Sequence, residues 1–360
     1  MKILYSVQAT GNGHISRAIQ LMPYLDQFGQ VDVFLSGDNC HLQSGLPIKY
    51  RSKGLSLFYG NKGGLDYIKM WRELSLKRIW KEAKELPVEN YDLVINDFES
   101  ITALACKIKG KKSIQFGHQA SFQSNLTPRP KHKEILGELI LKNYAPASAY
   151  FGLHFDSYDN NIFNPIIKSE IVNCNPTDKG HISVYLSHYS IETIQEYFYQ
   201  VKDTRFEVFS RQVKETYTEK NITFFPLSND GFTQSVINSH GVITGAGFET
   251  PAEALYLGKK LMCIPIKGQY EQNCNAAALE LMGVQVVPAI GMGFAQQIEQ
   301  WLGIAATAPL TLQYNTFQIV QKVIEQGREL VNNKETVTHN NSLWMPGGMD
   351  YNPMFREFQK

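Results

Sequence analysis

The chain lacks what would tie it to a bilayer core, to nucleic acid or to an oxidising compartment. No apolar run in its 360 residues approaches the roughly 20 needed to span a membrane. Its 35 Lys and Arg stand against 34 Asp and Glu, and a net charge of +1 argues against a bulk binder of nucleic-acid phosphates. Cysteine is sparse. Cys40, Cys106, Cys174, Cys263 and Cys274 are scattered, odd in number and without metal-ligand spacing. That is the pattern of reduced thiols in a cytoplasmic protein, not of a disulfide framework. There is no Asp-x-Asp metal element, no internal repeat and no low-complexity segment. The opening residues, MKILYSVQATGNGH, are interrupted too soon for a signal peptide. What remains is ordinary for a globular protein, with 43% hydrophobic and 19% charged residues and length enough for two cores.

What is there is concentrated at a few turns. From Gly241 to Gly283 the chain reads GVITGAGFETPAEALYLGKKLMCIPIKGQYEQNCNAAALELMG. Val242 and Ile243 read as the end of a buried strand, and Gly245-Ala246-Gly247 as a tight turn. Thr250 then fits a helix N-cap, Pro251 the first helical position and Glu253 the far end of a capping box. Gly258 ends that helix, and Leu261 to Pro265 read as the next strand. A helix N-terminus behind a glycine turn presents free N–H groups and a partial positive charge, which suit a phosphate. Plain helix capping is the competing reading of the same residues. The polar run Gly268 to Asn273 follows the second strand, so two polar loops at adjacent strand ends can hold a phosphate and sugar hydroxyls together.

The N-terminus repeats the arrangement. Lys2 to Val7 read as a buried strand, Gly11-Asn12-Gly13-His14 as a turn, and Ile15, Ala18, Ile19, Met22 and Leu25 recur with helical spacing before a second strand at Val31 to Leu35. This is a βαβ opening. As a dinucleotide fingerprint it is weak, because Ser16 takes the third glycine's place and Asp38 falls late for a ribose ligand. Leu93 to Ile95 read as another buried strand with Asp97 at its carboxyl end. Glu99 is the rival acid, and capping of the helix from Ser100 accounts for one of the two. Phe116-Gly117-His118-Gln119 forms a third strand-end cluster. Residues Asn160 to Gly180, with two prolines and a run of polar residues, read as a boundary, after which His181 to Leu186 restart a strand.

On these residues the chain resembles the GT-B glycosyltransferases. The pattern runs Gly247, Glu253-Ala254, Gly258, Pro265, Glu271-Gln272 and Asn275-Ala276. It is similar to the donor-binding signature of the group holding the peptidoglycan N-acetylglucosaminyltransferase and the UDP-glycosyltransferases. The resemblance implies an α/β protein of two Rossmann-like domains facing a cleft. An acceptor domain would occupy residues 1–165 and a nucleotide-sugar domain 178–335, with a tail at 336–360 returning to the first. It implies that Gly245, Gly247 and Thr250 hold the diphosphate, Glu253 the ribose, Glu271 and Gln272 the donor sugar, Ser187 a phosphate and Phe232 the base. Gly13-His14 resembles the family's Gly-His start, which implies His14 as general base, a task suited to imidazole with its ordinary pKa of about 6.5. Asp97 would orient it, with Glu99 and His118 on the acceptor side and His118 as a second candidate base. Two departures stand out: Gly245 replaces a histidine common in relatives, and Ser16 a proline.

The implied reaction is metal-free transfer from a nucleotide-sugar, a UDP-sugar by resemblance, to an acceptor hydroxyl with inversion. The nucleotide-sugar is then a co-substrate, and no separate cofactor is expected. A nucleotide-sugar 2-epimerase of the same fold and a non-catalytic sugar-nucleotide-binding protein are the alternatives. The acceptor is a glycan, a lipid-linked or a small molecule. Residues 65–84 carry basic residues among Trp71, Trp80 and aliphatic side chains, and read either as a surface helix packed on the first domain or as a peripheral contact with the inner face of the membrane, where envelope glycans are built.

Overall fold

The computed structural model describes residues 1–9, 12–37, 45–54 and 75–332. They form two seven-stranded sheets with helices on both faces. In the first, β1 (Lys2–Gln8), β2 (Gln30–Ser36), β3 (Ile48–Ser52), β4 (Leu93–Asp97), β5 (Ile114–Gly117), β6 (Ala149–Leu153) and β7 (Ile162–Phe163) lie in the order 3-2-1-4-5-6-7. Every pairing in it is parallel. A strand covered on both faces needs an unbroken apolar run. That is why β1 and β4 show no polar/apolar alternation: Ile3, Tyr5 and Val7 face one layer of helices and Leu4 the other, and all four are fully buried.

The second sheet holds β8 (His181–Tyr185), β9 (Arg205–Ser210), β10 (Tyr217–Glu219), β11 (Ile222–Pro226), β12 (Gly241–Thr244), β13 (Lys260–Cys263) and β14 (Gln285–Val286) in the order 10-11-9-8-12-13-14. Only the β10–β11 hairpin is antiparallel. Without it, both sheets follow one doubly wound pattern. Each reverses direction once, between β1 and β4 and between β8 and β12. In open α/β sheets ligands bind outside the carboxyl ends of the strands at that reversal. The fold therefore makes two crevices.

Helix α1 (Asn12–Leu25) packs Ile15, Ala18, Leu21 and Leu25 on one face of the first sheet. On the other, α2 (Leu76–Glu85) and α3 (Ser100–Lys109) bury Ile79, Ala83, Ile101 and Ala105 against Leu4, Phe34 and Val94. The lobes are joined by more than a linker. The last described helix, α4 (Thr316–Asn332), follows the second sheet in sequence but packs on the first. Phe317 stacks on Phe28 at 5.9 Å. A Cβ at Gly327 would stand 2.8 Å from Leu93 and 2.9 Å from Ile114, so glycine is what lets this helix lie close on the sheet. The return to the first lobe is thus made by a helix that the sequence reading assigned to the second. The tail at 336–360, to which that reading gave the task, lies outside the described residues, as do residues 65–74 of the proposed membrane segment.

Candidate active site

The two crevices meet. His14 sits in the first turn of α1, directly beyond β1, and Asp97 ends β4, so the first sheet's reversal brings them together. His14 Nδ1 lies 3.0 Å from Asp97 Oδ1. Asp97 is fully buried and also accepts from Arg17, from Nε at 3.1 Å and from Nη2 at 2.8 and 2.9 Å. Burial alone would raise the Asp97 carboxyl. The Arg17 charge, helped by His14, outweighs burial and holds it at about 2. Asp97 is therefore a carboxylate and can only accept, so its contact with His14 calls for the proton on Nδ1 and the lone pair on Nε2; Arg17 Nη2, itself a donor to both Asp97 oxygens, also stands 3.0 Å from Nδ1. The His14 side chain is 13% exposed, and Nε2 lies 3.5 Å from Gln119 Nε2.

The loop after Asp97 is held rigidly. Phe98 has φ of 55°, unfavourable for an aromatic residue. Asn96 fixes it on both sides, accepting from Glu99 N at 2.6 Å and donating to Glu99 O at 2.7 Å. Glu99 is itself the cap of α3, accepting from Ile101 N at 2.8 Å and Thr102 N at 2.6 Å. It is turned inward and fully buried, so its expected place on the acceptor side gives way to capping, because those amide protons have no other partner. Across the sheet, a Cβ at Gly117 would collide with the Asp97 carboxylate, so only glycine leaves Asp97 its position.

Helix α5 (Glu249–Tyr256) of the second lobe faces this cluster. Its start differs from expectation. Phe248, not Thr250, occupies the cap position, no side chain caps it, and Thr250 and Pro251 lie within the first turn. Proline is tolerated there because first-turn N–H groups have no partner inside the helix. The backbone N–H groups of the turn at Gly247 to Thr250 are thus left without a side-chain cap. A Cβ at Gly247 would meet nothing within 4 Å, so that turn borders open space. Ser187 is exposed two residues beyond Tyr185, which pairs with Thr244, so Ser187 and Gly245 share one end of the second sheet.

Glu253 does not close a capping box. It is buried against Lys168 at 3.3 Å, and Lys168 Nζ lies 3.3 Å from Thr233 Oγ1. Burial raises the Glu253 carboxyl to about 7, although Lys168 opposes it. Glu271, on α6 (Tyr270–Leu281), accepts from Gln119 Nε2 at 3.1 Å across the cleft. Gln119 therefore stands between His14 and Glu271. Gln272 is tied to its own loop, accepting from Ile266 N at 2.9 Å and donating to Gln269 at 2.9 Å.

Two expected ligands are placed elsewhere. Phe232 packs in the core between Tyr185 and Phe209, with ring centroids 5.6 and 5.3 Å away, and offers no open face to a base. His118 is buried, with Nδ1 2.9 Å from Leu153 O and Nε2 2.8 Å from Asn275 Oδ1. It stacks on Phe248 at 4.0 Å and 6°. It is a joint between the lobes and does not line the cleft, since both ring nitrogens are occupied. Arg17, Glu249 and Lys168 were not singled out in the sequence. Arg17 donates through Nη1 to Glu249, so one guanidinium spans Asp97 of the first lobe and a carboxylate at the start of α5. The three-residue step from His14 to Arg17, one helical turn, is the signal that could have found it.

Two doubly wound sheets with their strand ends opposed define a GT-B fold, and solved structures agree. The MurG protein of Acinetobacter baumannii is 13% identical, with 90% of this chain and 99% of that one covered at a TM-score of 0.55. UGT89C1 of Arabidopsis thaliana, complexed with UDP, is 12% identical, with 92% and 96% covered at 0.54. The same protein complexed with UDP-L-rhamnose is 13% identical, with 92% and 95% covered at 0.54. No curated protein sequence matches the chain. A family model described as glycosyl transferase family 1 matches residues 1–300, and the chain belongs to that family. It is a glycosyltransferase.

Proposed function

We propose that the chain moves a sugar from a UDP-sugar to an acceptor hydroxyl by one direct displacement, inverting the anomeric carbon without a metal. The observation that carries this is the His14–Asp97 contact at 3.0 Å, which holds the imidazole with its Nε2 turned to the Gln119 amide, beside the uncapped turn at Gly247. In this reading the first lobe holds the acceptor and the second the nucleotide. The acceptor O–H gives its proton to His14 Nε2 as its oxygen bonds to the anomeric carbon. The bond from that carbon to the phosphate oxygen breaks, and its electron pair leaves with the diphosphate. Amides of Gly247 to Thr250 and the start of α5 stabilise that charge in place of a metal. Ser187 and Gly245 border the same phosphates, Glu253 with Lys168 receives the ribose, and Glu271 beside Gln119 receives donor-sugar hydroxyls. The protein acts in the cytoplasm. UGT89C1, similar in fold, is complexed with UDP and with UDP-L-rhamnose, which supports the choice of nucleotide.

Buried Asp97 favours transfer over mere binding, because a binding protein has no need of an imidazole held against a buried carboxylate. Incubation with a panel of UDP-sugars tests the reading. Slow UDP release to water, accelerated by acceptor hydroxyls, supports it. Formation of an epimeric UDP-sugar without UDP release would identify a 2-epimerase, and binding without turnover a sugar-nucleotide-binding protein.

A further inference from the structure

A helix whose apolar side faces outward lies beside the cleft. Residues Ile135–Asn143 form a nine-residue helix of the first lobe in which only Leu141 is buried. Ile135 is 80% exposed, Leu136 48% and Leu139 51%, and Leu126 on the preceding loop is 68% exposed. Positions 135, 136 and 139 share one helical face. The opposite side is used for packing: a Cβ at Gly137 would collide with the Tyr270 ring, so glycine lets the helix press against α6 of the second lobe. Glu138 accepts from Tyr270 at 2.7 Å and pairs with Arg129, and Glu134 lies 3.4 Å from Asn273. Both acids of the segment are thus engaged inward. Lys131, His132 and Lys133 are exposed at the start of the helix, and neither lysine pairs with an acid among the described residues.

An outward apolar face with unpaired cations beside it has the chemistry of a bilayer interface, where aliphatic side chains enter the acyl boundary and lysines meet anionic headgroups. We infer that residues 126–139 dock the protein on an anionic membrane surface, with Leu126, Ile135, Leu136 and Leu139 entering it and Lys131 and Lys133 at the headgroups. The helix contacts α6, the element that carries Glu271, so docking sets the cleft mouth at the lipid surface. The docking surface stands independently of the catalytic reading. That a lipid-linked acceptor enters there rests on it.

Flotation of the full chain with vesicles of phosphatidylcholine, alone or with phosphatidylglycerol, tests the inference. Binding is expected only with the anionic lipid and should fall as salt screens the charges. Replacing Lys131 and Lys133 by Gln should weaken partitioning roughly thirtyfold, and Ile135→Ser with Leu139→Ser by roughly tenfold or more. Unchanged melting and UDP affinity show that both variants are folded, and UDP release from UDP-sugar in solution reads the transferase reading separately. Absence of binding at low salt overturns the inference, as does binding that survives in both variants. A dimer lost in the Ser variant without any vesicle binding would also overturn it and assign the face to a second copy of the chain.

Discussion

Asp97→Asn is the substitution that best separates chemistry from architecture. The carboxyl is held at about 2 instead of 3.8, which at about 1.4 kcal/mol per pH unit corresponds to about 2–3 kcal/mol of stability at neutral pH. The sign follows from the direction. A lowered folded-state pKa contributes fully above the unfolded value and is lost as pH falls from about 4 towards 2. The Asn variant should therefore unfold about 2–3 kcal/mol more easily at pH 7 in urea, and the difference from the parent should shrink below pH 4. Arg17 keeps Glu249 as a partner, so the loss should not reach the largest values known for breaking a buried pair, about 3–5 kcal/mol. The catalytic effect is separate. An amide can donate to His14 Nδ1, which moves the imidazole proton to Nε2 and removes the acceptor for the hydroxyl proton. Turnover should fall roughly 10²–10⁴-fold with UDP affinity unchanged. Single-turnover assays with titration of UDP measure both. Turnover within about threefold of the parent, alongside the expected loss of stability, would refute the orienting role and leave Asp97 as the structural partner of Arg17.

Other outcomes follow from the same geometry. His14→Ala should cut turnover roughly 10²–10⁴-fold and leave UDP binding intact by calorimetry. With the Glu253 carboxyl raised to about 7, nucleotide affinity should rise between pH 6 and 8, as ionisation gives ribose hydroxyls a better acceptor, and Glu253→Gln should flatten that profile. Excess EDTA should leave activity unchanged, and loss restored by Mg²⁺ or Mn²⁺ would discard the amide-stabilised leaving group. Gly117→Ala should lower turnover and melting temperature together, since its Cβ and the Asp97 carboxylate cannot share the same space.

Much of the fold was legible because its signals are local. Buried parallel strands leave unbroken apolar runs such as Leu93 to Ile95, and glycines follow them at 13 and at 245 and 247. Those cues located both crevices, since a doubly wound sheet puts its ligands at strand ends. The pairing of His14 with Asp97 came from resemblance to a known family. Their separation of 83 positions leaves no local signal, and only the parallel register of β1 with β4 closes it. Phe232 and Thr250 show where local reading misleads. An aromatic near a helix start has the same sequence appearance whether it stacks on a base or fills the core. A Thr-x-x-Glu spacing cannot reveal that the helix begins before the threonine, nor that a lysine 85 residues away claims the glutamate.

The residues left without a role by the sequence reading share a physical property: each acts across the cleft. Arg17 looks like any basic residue on an amphipathic helix, yet it is buried and makes its second ion pair with Glu249, 232 positions away. Lys168 lies in the polar stretch between the lobes and reaches Glu253 and Thr233. Gln119 touches both His14 and Glu271. Burying such charges is tolerable only when partners are supplied: Arg17 has Asp97 in its own lobe and Glu249 in the other, and Lys168, between the lobes, has Glu253. Separating the lobes would take Arg17 from Glu249, so the closed arrangement and the ionised state of Glu249 support one another. In the proposed mode of binding, a nucleotide-sugar brings two phosphate charges to the start of α5, where Arg17 and Lys168 are already held by carboxylates. On that proposal the phosphates compete with Glu249 and Glu253 for those cations, so the acid that pairs with Arg17 across the lobes also enters the electrostatics of donor binding.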